Sequence, residues 1–131
     1  SKIAKEQIEK ISSIKSDLSD MYEMVDESIA ILRNDNIPIV EFGKMLNESW
    51  KIKRGLTNKI SNEQIDEMYN SAIESGAVGG KITGAGGGGF MMIFAEPSYH
   101  DNIIESLKNY LHVPILFTKT GSKILFNSEE N

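Results

Sequence analysis

The sequence predicts a single α+β domain spanning residues 1–131. Residues 1–76 read as helical, because apolar residues recur there at steps of three and four. The period changes near residue 77, and residues 77–126 show the pattern β-loop-β-α-β-β. Apolar residues make up 40% and charged residues 25% of the chain, as in soluble globular proteins. A chain of this length fills one hydrophobic core more readily than two.

The first helix is predicted to run without Gly or Pro from the N-terminus to about Arg33–Asn34. Its apolar residues are Ile11, Ile14, Leu18, Met21, Val25, Ile29 and Leu32. This length is compatible with a coiled coil. A helix packed along the domain is favoured, because the apolar pattern does not continue beyond Leu32.

Two shorter helices are predicted next. The first begins near Pro38, which suits an initial helical turn, and ends at Gly55. Trp50 lies on its apolar face and is predicted to belong to the core. The other begins at Ser61, because Ser61-x-x-Gln64 has the spacing of a capping box, and ends at Gly76.

The remaining elements are short. Strands are predicted over Ala77–Thr83 and Phe90–Ala95, followed by a helix over residues 98–111. Two last strands are predicted over Pro114–Thr118 and Ser122–Phe126.

Composition excludes several classes of protein. The net charge of -5 disfavours a nucleic-acid-binding module, which normally carries a basic face. The absence of cysteine excludes disulfides and thiolate metal sites, and no residues have the spacing of metal ligands. The longest apolar run, Phe90–Ala95, is too short to span a membrane. No signal segment opens the chain, so the cytoplasm is the expected compartment.

A glycine-rich connection separates the first two predicted strands. Eight of the 11 glycines lie between Gly76 and Gly89, and Gly86 to Gly89 are consecutive. Each ordered glycine costs about 0.5–1 kcal/mol relative to alanine, so a marginally stable domain is expected to retain such a run for a use. Exposed backbone N–H groups can donate hydrogen bonds to phosphate oxygens. A flexible turn, or a site where other parts of the protein pack on the backbone, is the alternative.

Two common phosphate-binding motifs do not fit this connection. Residues 84–89 match Gly-x-Gly-x-x-Gly, but a strand follows them, whereas a dinucleotide-binding fingerprint opens a helix. The Gly-Lys-Ser/Thr of a Walker loop does not follow the glycines either.

The segment Lys81–Phe90 resembles the third conserved motif of the GHMP kinases. The segments Leu46–Lys51 and Ala77–Lys81 are similar to the heptose-kinase branch of that superfamily. The resemblance covers about residues 38–126 well. It implies a ferredoxin-like GHMP kinase C-terminal domain with additional N-terminal helices, whose glycine loop lies at the cleft between two domains.

The resemblance also implies which residues bind ligands. The nucleotide- and phosphate-binding loop would consist of Thr83, Gly84, Ala85, Gly86, Gly87 and Gly88. Lys51 and Lys81 are candidate substrate contacts. No catalytic residue and no metal ligand is implied within this chain, because the family's catalytic Asp and Lys belong to an N-terminal kinase domain that is absent here.

The family's main nucleotide loop, Pro-x-x-x-Gly-Leu-x-Ser-Ser-Ala, is not found at any of the three prolines. The resemblance therefore implies the C-terminal part of a sugar kinase that transfers the γ-phosphoryl group of ATP to a hydroxyl of a heptose phosphate. The implied partners are ATP, the sugar phosphate and the N-terminal domain of the same polypeptide; ATP and Mg²⁺ would be bound mainly by that domain. The isolated chain is expected to be inactive.

Two hypotheses of other classes stay open. One is a non-catalytic α+β module with a regulatory or small-ligand-binding role. The other is an interaction protein that dimerises through its long first helix.

Overall fold

The computed structural model describes residues 2–56, 61–83 and 89–122, with side chains from residue 14 onward. The elements in those ranges are α1 (Lys2–Arg33), α2 (Val40–Leu56), α3 (Glu63–Glu74), β1 (Ala77–Thr83), β2 (Phe90–Ala95), a 3₁₀ turn (Pro97–Tyr99) and α4 (His100–Ser106). The predicted α+β class is confirmed, as are the first helix and the first two strands.

A tight turn joins α1 to α2. Asn34 forms it with both its side chain and its backbone: its Oδ1 accepts from the Asn36 N–H at 3.1 Å, and its carbonyl accepts from the Ile37 N–H at 2.9 Å. The two helices then pack side by side, with Met24 and Ile31 of α1 facing Met45 of α2 across a shared groove.

The start of α3 differs from the prediction. Asn62, not Ser61, caps the helix, and its Oδ1 accepts from the Ile65 N–H at 2.9 Å. Ser61 instead donates its hydroxyl to Asp66 Oδ1 at 2.5 Å. An Asn side chain satisfies a free N–H of the first turn as well as Ser does, so sequence alone does not choose between the two neighbours. The helix ends at Glu74, two residues before the predicted stop at Gly76, where φ is +108°.

β1 and β2 form an antiparallel pair in the described part of the chain, with Thr83 opposite Phe90 and Ile82 opposite Met91. Two apolar clusters pack on this sheet. One contains Trp50, Ile65, Tyr69 and Ile82, and the other contains Ala72, Ala77 and Ile103. Side chains of α2 and α3 thus hold the end of β1 that leads into the glycine-rich connection.

In the last third of the predicted pattern, one helix is shorter than predicted and one predicted strand is absent from the described residues. The helix expected over residues 98–111 is a 3₁₀ turn followed by α4, which ends at Ser106. Residues 114–118 carry no strand, and Leu116 and Phe117 are 94% and 92% exposed. Strand-forming residues become a strand only when a partner strand accepts their backbone hydrogen bonds, and this segment has none among the described residues. Most of the strand predicted over 122–126 lies outside the described residues.

Candidate functional site

The glycine-rich connection begins and ends at one pair of facing residues. Thr83 and Phe90 are the last partners in the strand register. The Thr83 hydroxyl donates to the Phe90 carbonyl at 3.0 Å. This side-chain hydrogen bond joins the two residues that flank the connection, which are called here its mouth. The ends of the connection are therefore fixed at the spacing of paired strands. The predicted loop residues Gly84, Ala85, Gly86, Gly87 and Gly88 lie outside the described residues.

Gly89 completes the mouth of the connection in a conformation that favours glycine. Its φ is +117°, and a Cβ atom there would lie 2.6 Å from the Thr83 carbonyl oxygen. Any larger residue would combine an unfavourable backbone conformation with a clash. The backbone geometry alone therefore explains a glycine at this position. The sequence prediction, which assigned the glycine run to phosphate binding, did not distinguish this structural requirement from a functional one.

A buried apolar cluster holds the end of β1 that leads into the connection. Ile82, directly before Thr83, is 1% exposed and packs against Trp50, which is also 1% exposed. The prediction that Trp50 belongs to the core is confirmed. The strand ends that hold the connection are consequently tied to helix α2.

The candidate lysines occupy different places. Side chains alternate along a strand, so Lys81 and Thr83 lie on the face of β1 opposite Ile82. Lys81 is half-buried opposite Met92. Lys51 lies on α2, where its Nζ contacts Glu48 Oε1 at 2.8 Å in an exposed pair. The structure therefore places Lys81 beside the connection on the Thr83 face, and Lys51 in a surface ion pair of α2.

Close contact between α2 and β1 accounts for two further glycines. A Cβ at Gly79 would lie 2.9 Å from the Asn47 backbone nitrogen and closer still to the Gly43 carbonyl oxygen. A Cβ at Gly43 would collide with the Phe94 ring and lie 3.0 Å from Val78 Cβ. Gly43 and Gly79 thus allow a helix backbone to rest directly on a strand. Part of the glycine richness before residue 84 reflects this packing, the alternative kept open above.

A polar pair across α2 and α3 was not found from the sequence. The Tyr69 hydroxyl donates to Asn47 Oδ1 at 2.6 Å, although the residues are 22 positions apart. Tyr69 was predicted only as part of an apolar face, and nothing in its spacing signals the bond. Burial raises the pKa of Tyr69 above its ordinary value of 10.0, and Glu48 raises it further, while Arg54 and a backbone hydrogen bond from Gly80 oppose this. The pair ties α2 to α3 next to β1.

Replacing Tyr69 with phenylalanine is expected to lower the free energy of unfolding by about 1 kcal/mol at pH 8, because Asn47 loses its donor. The folded protein keeps the phenol protonated above the pH at which the unfolded chain releases the proton. The stability linked to Tyr69 is therefore complete below about pH 10 and is lost as the pH rises through the raised pKa. Urea unfolding of both proteins between about pH 8 and 11 should show the difference between them shrinking. A constant difference would contradict the role given to Tyr69.

Arg54, near the end of α2, forms an ion pair with a carboxylate of α3. Arg54 Nη2 contacts Asp66 Oδ2 at 2.7 Å, which links α2 to α3. Both side chains are about one-third exposed, so the pair contributes little beyond orientation.

Within the described ranges, no group of three or more His, Cys, Asp or Glu side chains is placed to hold a metal ion. No helix in those ranges combines the length and the hydropathy that a membrane span requires.

The fold and the site define a mixed α/β domain in which helices brace two antiparallel strands around a glycine-rich connection. Residues 29–113 match the family model described as GHMP kinases C terminal. The chain belongs to this family, as the motif at Lys81–Phe90 predicted.

Individual relatives agree with this assignment. The chain is 34% identical to the D-glycero-alpha-D-manno-heptose 7-phosphate kinase of Campylobacter jejuni over 119 residues, which are 88% of this chain and 32% of that protein. It is 33% identical to a galactokinase of Clostridium acetobutylicum over 67% of this chain and 23% of the relative. It is 36% identical to a mevalonate kinase of Thermococcus gammatolerans over 60% of this chain and 24% of the relative. The chain thus spans about a third or less of the length of these kinases.

Proposed function

We propose that this chain is the C-terminal domain of an ATP-dependent sugar kinase that transfers the γ-phosphoryl group of ATP to a hydroxyl of a heptose phosphate. The observation that carries the proposal is the paired mouth of the connection at Thr83 and Phe90, within a chain that is similar over 88% of its length to a heptose 7-phosphate kinase. The galactokinase and mevalonate kinase matches support phosphoryl transfer to a hydroxyl but not the choice of sugar.

The chemistry of the connection suits this role. Phosphoryl transfer depends on positioning and on stabilising charge on the phosphoryl oxygens. Residues 84–88 contain four glycines and one alanine, so an anion can approach their backbone N–H groups without meeting large side chains. Thr83 and Phe90 fix both ends of the segment, so less conformational freedom is lost when a ligand binds.

The side chains near the connection add specificity. Lys81, on the same face of β1 as Thr83, brings an ammonium group to that side of the sheet. The Thr83 hydroxyl donates to the Phe90 carbonyl and keeps lone pairs that accept a hydrogen bond from a sugar hydroxyl. Lys51 would have to leave Glu48 to reach a substrate, at small cost because their contact is an exposed ion pair.

Other parts of the reaction are assigned to a kinase domain outside this chain. The chain spans 32% of the heptose kinase it matches, and the family's main nucleotide-loop pattern is not found at any of its three prolines. The role proposed for these 131 residues is to form one wall of the cleft, binding and orienting the phosphates and the sugar. The isolated chain is therefore expected to bind ATP weakly and to show no turnover.

The test is a titration of the ¹⁵N-labelled chain with Mg-ATP to about 10 mM, followed by amide NMR. The expected shifts lie within residues 83–89, because the proposal assigns phosphate binding to those amides. A Gly87→Ala variant should weaken the response. Gly121→Ala serves as the control, since a Cβ at Gly121 meets no atom within 4 Å.

Shifts confined to other residues would contradict the assignment of the loop. Turnover by the isolated chain would contradict the assignment of catalysis to a domain outside it. The sugar is tested on the product of the complete reading frame, by comparing kcat/KM for a heptose 7-phosphate with that for galactose. A preference for galactose would overturn the heptose assignment.

A further inference from the structure

Helix α1 has an apolar face that nothing in the described part of the chain covers. One side of the helix packs toward α2, with Met21, Met24 and Ile31 half-buried. A neighbouring side carries five large side chains that are exposed by 40% to 74%. These are Leu18, Tyr22, Val25, Ile29 and Leu32, called here the α1 stripe.

The α1 stripe has the spacing of a two-stranded coiled coil. Its members are separated by four, three, four and three residues, so they form one narrow row along the helix. The same steps continue backwards in the sequence through Lys15 to Ile11, Ile8 and Ala4. A row this narrow fits another helix lying alongside better than a broad protein surface. At 32 residues α1 is about 48 Å long, ample for such a pairing.

The charges of α1 specify the direction of the second helix. Residues 2–15 contain four lysines against two glutamates, whereas residues 16–32 contain five acidic residues and no basic one. Parallel copies of α1 would place like charges side by side. Antiparallel copies place the basic half of each helix along the acidic half of the other, which favours that orientation.

From this spacing and charge pattern we infer that two copies of this chain pair through the α1 stripe as an antiparallel coiled coil. In the register that aligns the two rows, Tyr22 of one copy lies level with Ile11 of the other, and Val25 lies level with Ile8. Lys15 lies level with Leu18 near the two-fold axis, where its aliphatic stem covers apolar surface and its ammonium group reaches the acidic half of the other helix. This pairing does not depend on the function proposed above.

Sedimentation equilibrium of the 131-residue chain tests the pairing. The unmodified chain is expected to be a dimer at about 100 μM. Val25→Glu should raise the dissociation constant at least tenfold, because it places a charge at the middle residue of the α1 stripe. Val25 is 53% exposed, and glutamate is the better helix former, so the monomer keeps its fold, as circular dichroism will verify.

Ser16→Glu is the matched control, since it adds the same charge to α1 at an exposed position outside the row. It should leave the dimer unchanged. A chain that stays monomeric at 100 μM, or equal effects of the two variants, would overturn the pairing and leave the α1 stripe as a contact for another part of a longer polypeptide.

Cross-linking tests the orientation. The chain has no cysteine, so single cysteines can be placed at will. A short bismaleimide should link Leu18→Cys dimers, because the two positions lie near the two-fold axis, and should not link Leu32→Cys dimers, whose cysteines lie at opposite ends. Efficient linking of Leu32→Cys would show parallel helices and overturn the antiparallel arrangement.

Discussion

A Gly79→Ala substitution is expected to lower the free energy of unfolding by about 3 kcal/mol, at the upper end of the cost of overpacking a core. The added Cβ would lie 2.9 Å from the Asn47 nitrogen and closer still to the Gly43 carbonyl oxygen. Both obstacles are backbone atoms of α2, so no side chain can rotate out of the way. Relief requires α2 to move away from β1, which also loosens the neighbouring contact between Gly43 and Phe94.

Gly55→Ala is the matched control for this substitution. Gly55 lies in α2, the helix that the added Cβ at Gly79 would displace, and a Cβ at Gly55 meets no atom within 4 Å. Alanine is the better helix former, so this variant should be more stable than the unmodified chain, by up to about 1 kcal/mol. Urea unfolding followed by circular dichroism measures both changes. Equal effects of the two variants would show that α2 does not rest on β1 at Gly79.

Trp50→Ala is expected to cost about 3–5 kcal/mol, the range for removing a large aromatic side chain from a core. Trp50 is 1% exposed and packs with Ile65, Tyr69 and Ile82. Its indole Nε1 has no hydrogen-bond partner among the described residues, so the loss is one of packing and leaves no acceptor stranded. For a domain of ordinary stability this is a large fraction of the total.

Leu116→Ala provides the comparison for Trp50. Leu116 is 94% exposed, so truncating it should change the stability by less than about 0.5 kcal/mol. If Leu116→Ala destabilised the chain as much as Trp50→Ala, residues 114–118 would have to be packed in a strand after all. The pair of variants therefore tests the core and the correction to the predicted strands together.

Sequence reasoning succeeded where a signal is local and repeats. The apolar period of α1 and the placement of Trp50 follow from which residues share one face of a helix, and that depends only on spacing. The strands on either side of the glycine-rich connection were found because the period changes there. The same reasoning failed for residues 114–118, where an apolar run was predicted to be a strand but has no partner strand among the described residues. The assignment of Gly84 to Gly88 as a phosphate-binding loop stays a prediction.

The sequence by itself determined the α+β class, the membership of the GHMP kinase family and the position of the glycine-rich connection, because each is carried by residues that are near one another in the chain. Only the tertiary structure decided that Gly43 and Gly79 bring α2 against β1, and that Tyr69 donates to Asn47 across 22 residues. These contacts join segments far apart in sequence. They depend on how helices and strands pack in three dimensions, which no local pattern of residues specifies.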